Sequence, residues 1–277
     1  IMTDPVLFDR IGPPEFLDNL FGIKRRRPIP TSLDSLPDID VIMISHAHYD
    51  HLDLPSLNWL IERQAKAPTI IVPRGVISLL KTIEAEIHEL DWRSGQVNTH
   101  LHSIIQISAF RVEHYGYVEW PGRDVFTGFN GYLFGDNEAT FLFIGDSAYQ
   151  RFRDETGKMV YKFPQEVDWV LQSGVSGELE SCFLPVGDHY YHWNHMGPRQ
   201  ASMLAHTLGC KHWLPIHYGT FLLTPPRHEP VQSERELERF FDRHPPAVPL
   251  ECPTANEQSA FPAIGITCTI QTRSQNK

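Results

Sequence analysis

The chain has 277 residues and a formal net charge of -10, with 41% hydrophobic and 21% charged residues. This is the composition of a folded globular protein, and the negative charge argues against a protein that holds nucleic acid through an overall positive field. Because no apolar run reaches the roughly 18 residues that a membrane-spanning helix needs, a transmembrane protein is excluded as well.

Short apolar runs bounded by turn residues predict a series of strands with helices between them. The predicted strands are Val41–Ser45, Thr69–Pro73, Ile104–Glu113, Phe129–Phe134, Thr140–Ile144, Cys182–Val186, His212–Ile216 and Ile264–Ile270. The predicted helices are Pro55–Lys66, Pro198–Leu208 and Gln232–Arg243. This mixture indicates an α/β class, and because no linker separates the elements we expect one domain over residues 1–277.

The cysteines and the start of the chain bear on the cellular location. Cys182, Cys210, Cys252 and Cys268 are far apart and form no paired motif, which favours free thiols over a disulfide framework. The first ten residues lack the charged start, apolar stretch and cleavage site of a secretory signal. We therefore expect a cytoplasmic protein.

The sharpest feature of the sequence directly follows the first predicted strand. Three imidazoles and a carboxylate occur within six residues: His46, His48, Asp50 and His51. Histidine is the commonest metal ligand. A tight turn after a strand would direct the first two side chains to one side and the other two to another, so this loop is suited to serve two metal ions.

Further ligands are expected at the ends of other strands. His114, Asp146 and His217 each follow a predicted strand by one or two residues, as His46 does. Taken singly, such a residue is more often part of a turn or cap. Their shared position, with Gly145 allowing a close approach before Asp146, indicates that they belong to the same site.

Together these residues resemble the ligand pattern of the metallo-β-lactamase superfamily. Within it, the chain is similar to the branch of N-acyl-phosphatidylethanolamine-hydrolysing phospholipase D and the ascorbate-6-phosphate lactonases, on motifs such as Thr3-Asp4-Pro5, Ile144-Gly145-Asp146-Ser147 and Ile216-His217-Tyr218-Gly219. The resemblance implies a four-layer αβ/βα sandwich with a two-metal site between its sheets. It also implies that the first strand or hairpin usual in relatives is lacking before Thr3.

The resemblance also implies a role for each site residue. His46, His48 and His114 would hold one ion, Asp50, His51 and His217 the other, and Asp146 would bridge the two. Zinc is the expected metal, and manganese or iron also suits such ligands. Asp50 would in addition orient the nucleophile, and His195 would support catalysis beside the metals.

Other histidines leave a second possibility open. His189 and His192 precede His195 at three-residue spacing, which would suit a separate metal site. We expect them instead to line the mouth of a pocket.

Two divalent ions that share a hydroxide supply a nucleophile at neutral pH, which predicts hydrolysis. The resemblance favours a phosphodiester bond, cleaved in the manner of a phospholipase D, in a small molecule or a phospholipid. The alternatives are a lactonase or other acyl hydrolase, and an inactive metal-binding structural protein. The basic run Lys24–Arg27 could meet phosphate groups or an anionic membrane surface, although such a run is usually a solvated loop. A nucleic-acid partner is not expected, and the sequence gives no oligomeric state.

Overall fold

The computed structural model describes most of the first 221 residues. The described residues are 1–12, 22–26, 28–29, 32–93, 97–100, 104–120, 123–136, 139–149, 151–153, 155–157, 159–161, 169, 179–187, 195–221, 239 and 243.

Strands dominate this part of the chain. They are β1 (Met2–Thr3), β2 (Arg10–Ile11), β3 (Ile23–Lys24), β4 (Val41–Met43), β5 (Thr69–Pro73), β6 (Ile87–Leu90), β7 (Val97–His100), β8 (Ile104–Arg111), β9 (Tyr117–Trp120), β10 (Arg123–Phe126), β11 (Asn130–Gly135), β12 (Thr140–Phe143), β13 (Arg151–Arg153), β14 (Met159–Tyr161), β15 (Leu179–Pro185) and β16 (His212–Ile216). The helices are α1 (Leu54–Glu62) and α2 (Pro198–Leu208), with short 3-10 turns at Leu33–Ser35 and Val76–Leu79.

Two sheets form the centre of the fold. The first has the order β1-β4-β5-β6, with all its strands parallel. The second has the order β16-β15-β12-β11-β8-β7; β12, β15 and β16 are parallel, and the remaining pairs are antiparallel. The pairs β2–β3, β9–β10 and β13–β14 are separate two-stranded ribbons.

Side-chain alternation along the strands creates four layers. On the segment Val41–Ile44, Val41 and Met43 enter an apolar cluster with the second sheet, whereas Ile42 and Ile44 enter a cluster with Leu57 and Leu60 of α1. On the other side, α2 packs its own apolar face on β12 and β15 in a third cluster. The order helix, sheet, sheet, helix confirms the predicted four-layer αβ/βα sandwich.

Local signals fix both helices. Asp53 caps α1, because its carboxylate accepts the Ser56 N–H at 3.1 Å, and Pro55 lies in the first turn. At the start of α2, Gln200 Oε1 accepts the Gly197 N–H at 2.8 Å. That helix ends at Gly209, which has a φ of 70° and takes the left-handed conformation that suits glycine.

Most predicted elements are confirmed, with shifts of a few residues at their ends. The predicted strand Ile264–Ile270 lies outside the described residues, as does the predicted helix Gln232–Arg243 apart from Arg239 and Arg243. The extension of a single domain to residue 277 stays a prediction. A search of the described helices finds none with the length and apolarity to cross a membrane.

The prediction of free thiols is wrong for two of the four cysteines. Cys182 on β15 and Cys210, just after α2, form a disulfide with a Cα–Cα distance of 6.0 Å. The packing of α2 on the second sheet brings them together across 28 residues, and nothing in the local sequence signals that contact. Cys252 and Cys268 lie outside the described residues. The cytoplasmic location stays a prediction, now without the support of this pair.

Candidate metal centre

The seven predicted ligands lie together at one end of the two sheets. Four occupy the loop after β4, and His114, Asp146 and His217 follow β8, β12 and β16. Two glycines leave room for the side chains at this end of the sheets. Gly145 has a φ of 64°, and a side chain there would collide with Ser45 at the start of the loop. Gly187 faces the side chain of His195, as described below.

Three imidazoles form a first group. His48 Nδ1 lies 2.8 Å from His46 Nε2 and 3.3 Å from His114 Nε2. A spacing of about 3.3 Å is that of two nitrogens bound tetrahedrally to one zinc ion at about 2.0–2.1 Å. We call His46, His48 and His114 the three-histidine group.

The tautomer of His48 follows from its other ring nitrogen. Nε2 lies 3.0 Å from the carbonyl oxygen of Tyr117, which can only accept a hydrogen bond. Nε2 therefore carries the proton in the neutral ring, and Nδ1 presents a lone pair to His46 and His114. Several nitrogen atoms facing one another in this way are stabilised by a proton or a cation between them.

A second group combines a carboxylate with two imidazoles. Asp50 Oδ2 lies 3.2 Å from His217 Nε2 and 3.5 Å from His51 Nε2. We call Asp50, His51 and His217 the carboxylate group. His217 has a φ of 59°, a conformation uncommon outside glycine, and strain of this kind is concentrated at functional sites.

Asp146 touches both groups. Its Oδ1 lies 3.2 Å from His217 Nε2, and its Oδ2 lies 3.4 Å from His51 Nε2 and 3.7 Å from His114 Nε2. Its side chain is only 2% exposed. This position suits a carboxylate shared between two ions.

Burial and neighbouring charges shift the pKa values of the three-histidine group and of His51 in opposite directions. Burial lowers the pKa of each imidazole in the three-histidine group, to about 3 for His114. Burial acts in the same direction on His51, but the carboxylates of Asp146, Asp50 and Asp4 outweigh it and hold its pKa well above the ordinary value. Burial favours protonation of Asp50, yet His51 and His217 hold the pKa of that carboxyl well below its usual range.

Asp4 contributes to the site and was not among the predicted site residues. Its Oδ2 lies 2.6 Å from His51 Nδ1, and its Oδ1 accepts the Ser45 N–H at 2.7 Å. A carboxylate on the far nitrogen of a histidine orients the ring and leaves Nε2 to bind a metal. The only available signal was the position of Asp4 in the Thr3-Asp4-Pro5 motif, which does not show its partner.

His195 lies beside the seven residues, as expected. Its Nε2 is 3.1 Å from Asp146 Oδ2, and its ring stacks on His217 with centroids 5.2 Å apart. A Cβ at Gly187 would lie 3.0 Å from the His195 side chain, so the glycine after β15 leaves room for this ring. His189 and His192 lie outside the described residues.

One cation of the basic run, Arg25, directs its side chain into the fold. The Arg25 guanidinium donates hydrogen bonds to the carbonyl oxygens of Val6 and Phe8, and it lies 4.9 Å from the centre of the Phe221 ring. Arg25 therefore ties the start of the chain to the segment after β16. Its bonding capacity is directed into the protein, which removes one of the four cations proposed to meet phosphate.

The residues at the site fit a metal centre. The donors are imidazoles and carboxylates, the ligand types that zinc and similar ions take. His51 Nε2 is buried without a hydrogen-bond partner among the described residues, and its nearest carboxylate oxygens lie 3.4 and 3.5 Å away. A buried ring nitrogen without a hydrogen-bond partner, surrounded by other side chains that bind metals, indicates that this nitrogen is a metal ligand.

Comparison with known proteins agrees with the architecture. Residues 1–218 match the family model described as a beta-lactamase superfamily domain. An uncharacterized protein of Mycobacterium tuberculosis is 32% identical over 84% of this chain and 57% of its own length. The mitochondrial N-acyl-phosphatidylethanolamine-hydrolyzing phospholipase D of Saccharomyces cerevisiae is 26% identical over 81% of this chain and 44% of its own length.

The chain thus spans about half the length of these curated relatives. Among solved structures, isothiocyanate hydrolase from Delia radicum gut bacteria superposes with a TM-score of 0.51 at 16% identity, over 87% of this chain and 84% of the other. That likeness shows the fold alone. With the family match over residues 1–218, the chain belongs to the beta-lactamase superfamily.

Proposed function

We propose that the chain is a metal-dependent hydrolase with two divalent ions, zinc in the first instance. The three-histidine group would hold one ion, the carboxylate group the other, and Asp146 would contact both. The observation that carries this proposal is the meeting of the two groups at Asp146, whose two carboxylate oxygens face different histidines at 3.2–3.7 Å.

Two such ions would supply a water of lowered pKa as nucleophile and would stabilise negative charge on the group under attack. The protein's own residues supply orientation and proton transfer. Asp50 accepts hydrogen bonds through Oδ2, which would also orient the attacking water. His195 Nε2 lies 3.1 Å from Asp146 Oδ2; we assign its proton to the leaving oxygen, and the proton that the attacking water gives up would restore it.

The bond that we propose to be cleaved is a phosphodiester, with attack at phosphorus as in a phospholipase D. The similarity to the yeast enzyme supports this choice, together with side chains able to hold two cations, which would stabilise the charge of a phosphoryl group. The substrate would be a small molecule or a phospholipid that carries such a bond.

The test is hydrolysis of bis(p-nitrophenyl) phosphate by zinc-loaded protein of measured metal content. We expect turnover that falls by more than about a hundredfold in His48→Ala, because the three-histidine group loses its central ligand. His88→Ala is the matched control, since His88 lies on β6, is half-buried and is paired with Glu86. Its turnover should equal that of the unaltered chain.

Other substrates separate the alternatives. Hydrolysis of a lactone or ester, with no phosphodiester turnover at two ions per chain, would contradict the phosphodiesterase and establish an acyl hydrolase. Protein that holds two ions and is inert to all three substrate types would instead be a metal-binding structural protein.

A further inference from the structure

A cavity of about 410 Å³ adjoins the metal centre on the side of His48 and Asp50. Apolar and aromatic side chains make up most of its described lining: Ile11, Ile23, Tyr49, Tyr115, Tyr117 and Val118. Cavities of this size are typical of small-molecule sites. Its position beside two of the proposed ligands makes it the place for the part of the substrate next to the reacting bond.

The wall nearest the metal centre is built from aromatic rings. The centre of the Tyr115 ring lies 4.8 Å from that of His48 and 4.9 Å from that of His114. Tyr117 packs against Phe126, with ring centres 5.1 Å apart, and its own carbonyl fixes His48. The same strand, β9, thus shapes the cavity and orients a proposed metal ligand.

The charge of the lining restricts what can bind. Lys and Arg are absent from the lining that the structure describes, and its ionisable groups are His48, Asp50 and the tyrosines. An anionic group buried against these walls would lose its hydration without gaining a cationic partner, and Asp50, the one carboxylate in the described lining, is assigned to the metal centre and so is not available to a cationic group. The part of a ligand that enters the cavity should therefore be uncharged.

We propose that this cavity binds a compact, uncharged aromatic group of the substrate, joined to the bond that is hydrolysed at the metal centre. The inference rests on the proposed function and deepens it. An apolar protein cavity of about 150 Å³ holds benzene, so the volume here accommodates a group of one or two rings. Flat rings also make stacking and edge contacts with tyrosine that an alkyl chain does not make.

The test compares two isoleucines of similar exposure. Ile23 lines the cavity and is 40% exposed, whereas Ile77, in the 3-10 turn after β5, is 43% exposed and is not part of the lining. Equilibrium binding of naphthol to the purified full chain is measured by calorimetry for the unaltered protein, Ile23→Asp and Ile77→Asp. We expect about a tenfold weaker affinity in Ile23→Asp, because a carboxylate replaces an apolar wall, and no change in Ile77→Asp.

Three outcomes would overturn the assignment. The first is equal affinity in all three proteins, and the second is an absence of naphthol binding to the unaltered chain. The third is tighter binding of octanol than of naphthol, which would assign the cavity to an alkyl chain. Circular dichroism of both variants establishes that they fold.

Naphthol binding requires no turnover, so the two proposals fail separately. If Ile23→Asp weakens naphthol binding, Ile77→Asp does not, and the unaltered chain hydrolyses no phosphodiester, the cavity assignment stands and the proposed reaction is wrong. Hydrolysis that proceeds while naphthol binding is unaffected by Ile23→Asp would remove the cavity assignment and keep the reaction.

Discussion

The three-histidine group and the carboxylate group come largely from the same loop, which joins β4 to α1, yet they differ in charge. The first has no carboxylate of its own, and burial keeps its imidazoles neutral. The second includes Asp50, and its His51 lies between three carboxylates that favour the charged ring. The first group therefore depends on a cation to stabilise its converging nitrogens, whereas the second is able to balance its charges with a proton.

Each histidine has a second ring nitrogen that is not assigned to an ion, and the partners of these nitrogens also differ between the two groups. His48 Nε2 lies against a backbone carbonyl at 3.0 Å, and His46 Nδ1 lies 2.9 Å from Ser45 Oγ. His51 Nδ1 instead lies 2.6 Å from the carboxylate of Asp4. A neutral partner fixes the orientation of a ring, whereas a carboxylate also raises the affinity of the ring for protons and metals. Substitutions of single carboxylates should therefore separate the two groups.

The largest effect is expected from Asp146→Asn, which acts on both groups. The amide keeps the shape of the side chain but loses the charge that neutralises two ions. We expect phosphodiester turnover to fall by more than about a hundredfold and less than two ions to remain bound per chain, by analogy with the loss of other charged site groups. Turnover and metal content are measured on the same sample.

Asp34→Asn is a matched control, because Asp34 is an exposed aspartate in the first 3-10 turn. This control substitution should change neither the phosphodiester turnover nor the metal content. An unaltered rate in Asp146→Asn at full metal content would contradict the shared position of this carboxylate.

A smaller effect, confined to one group, is expected from Asp4→Asn. The side-chain oxygen that accepts the Ser45 N–H remains available, but His51 loses the carboxylate on Nδ1. Loss of such a partner typically weakens metal affinity about 10–100-fold. Competition with a chelator should show one of the two ions weakened by that factor and the other unchanged. Equal weakening of both ions would show that Asp4 supports the whole loop and not the carboxylate group.

Sequence patterns were sufficient to predict seven of the sixteen described strands and the seven clustered residues, whereas the shorter strands, such as β1, β6 and β7, were not predicted. Strand β5 was predicted at Thr69–Pro73 because an apolar run between turn residues is a local signal. His114, Asp146 and His217 were found because residues that follow the strands of such a fold meet at one end of the sheets. The strand needs only the neighbours along the chain, and the ligands need in addition the fold class that the strands predict.

The features that sequence missed are contacts between distant segments. Asp4 reaches His51 across 47 positions, and the Tyr117 carbonyl reaches His48 across 69. A backbone carbonyl has no side-chain signature, and a two-residue strand such as β1, which carries the chain to Asp4, is too short for a periodic pattern. The Cys182–Cys210 disulfide was missed for the same reason, since it depends on how α2 packs.

The smallest perturbation that should separate the two groups is a change of pH. The raised pKa of His51 means that a proton competes with the metal for Nε2 as the pH falls towards and below that pKa. The lowered pKa values of the three-histidine group, about 3 for His114, leave those nitrogens unprotonated over the same range. Acidification should therefore release the ion of the carboxylate group first.

This release is measured by dialysing protein that holds two ions at stepwise lower pH and determining the metal that remains. We expect a plateau at one ion per chain, followed by loss of the second ion in more acidic buffer. In Asp4→Asn, His51 loses one of the carboxylates that favour its charged ring, so the pKa of His51 falls. Protons then begin to compete with the metal at a lower pH. The affinity of the carboxylate group for its ion is also weaker at neutral pH in this variant. Release of both ions in a single step would mean that Asp146 couples the groups so tightly that their different charges do not matter.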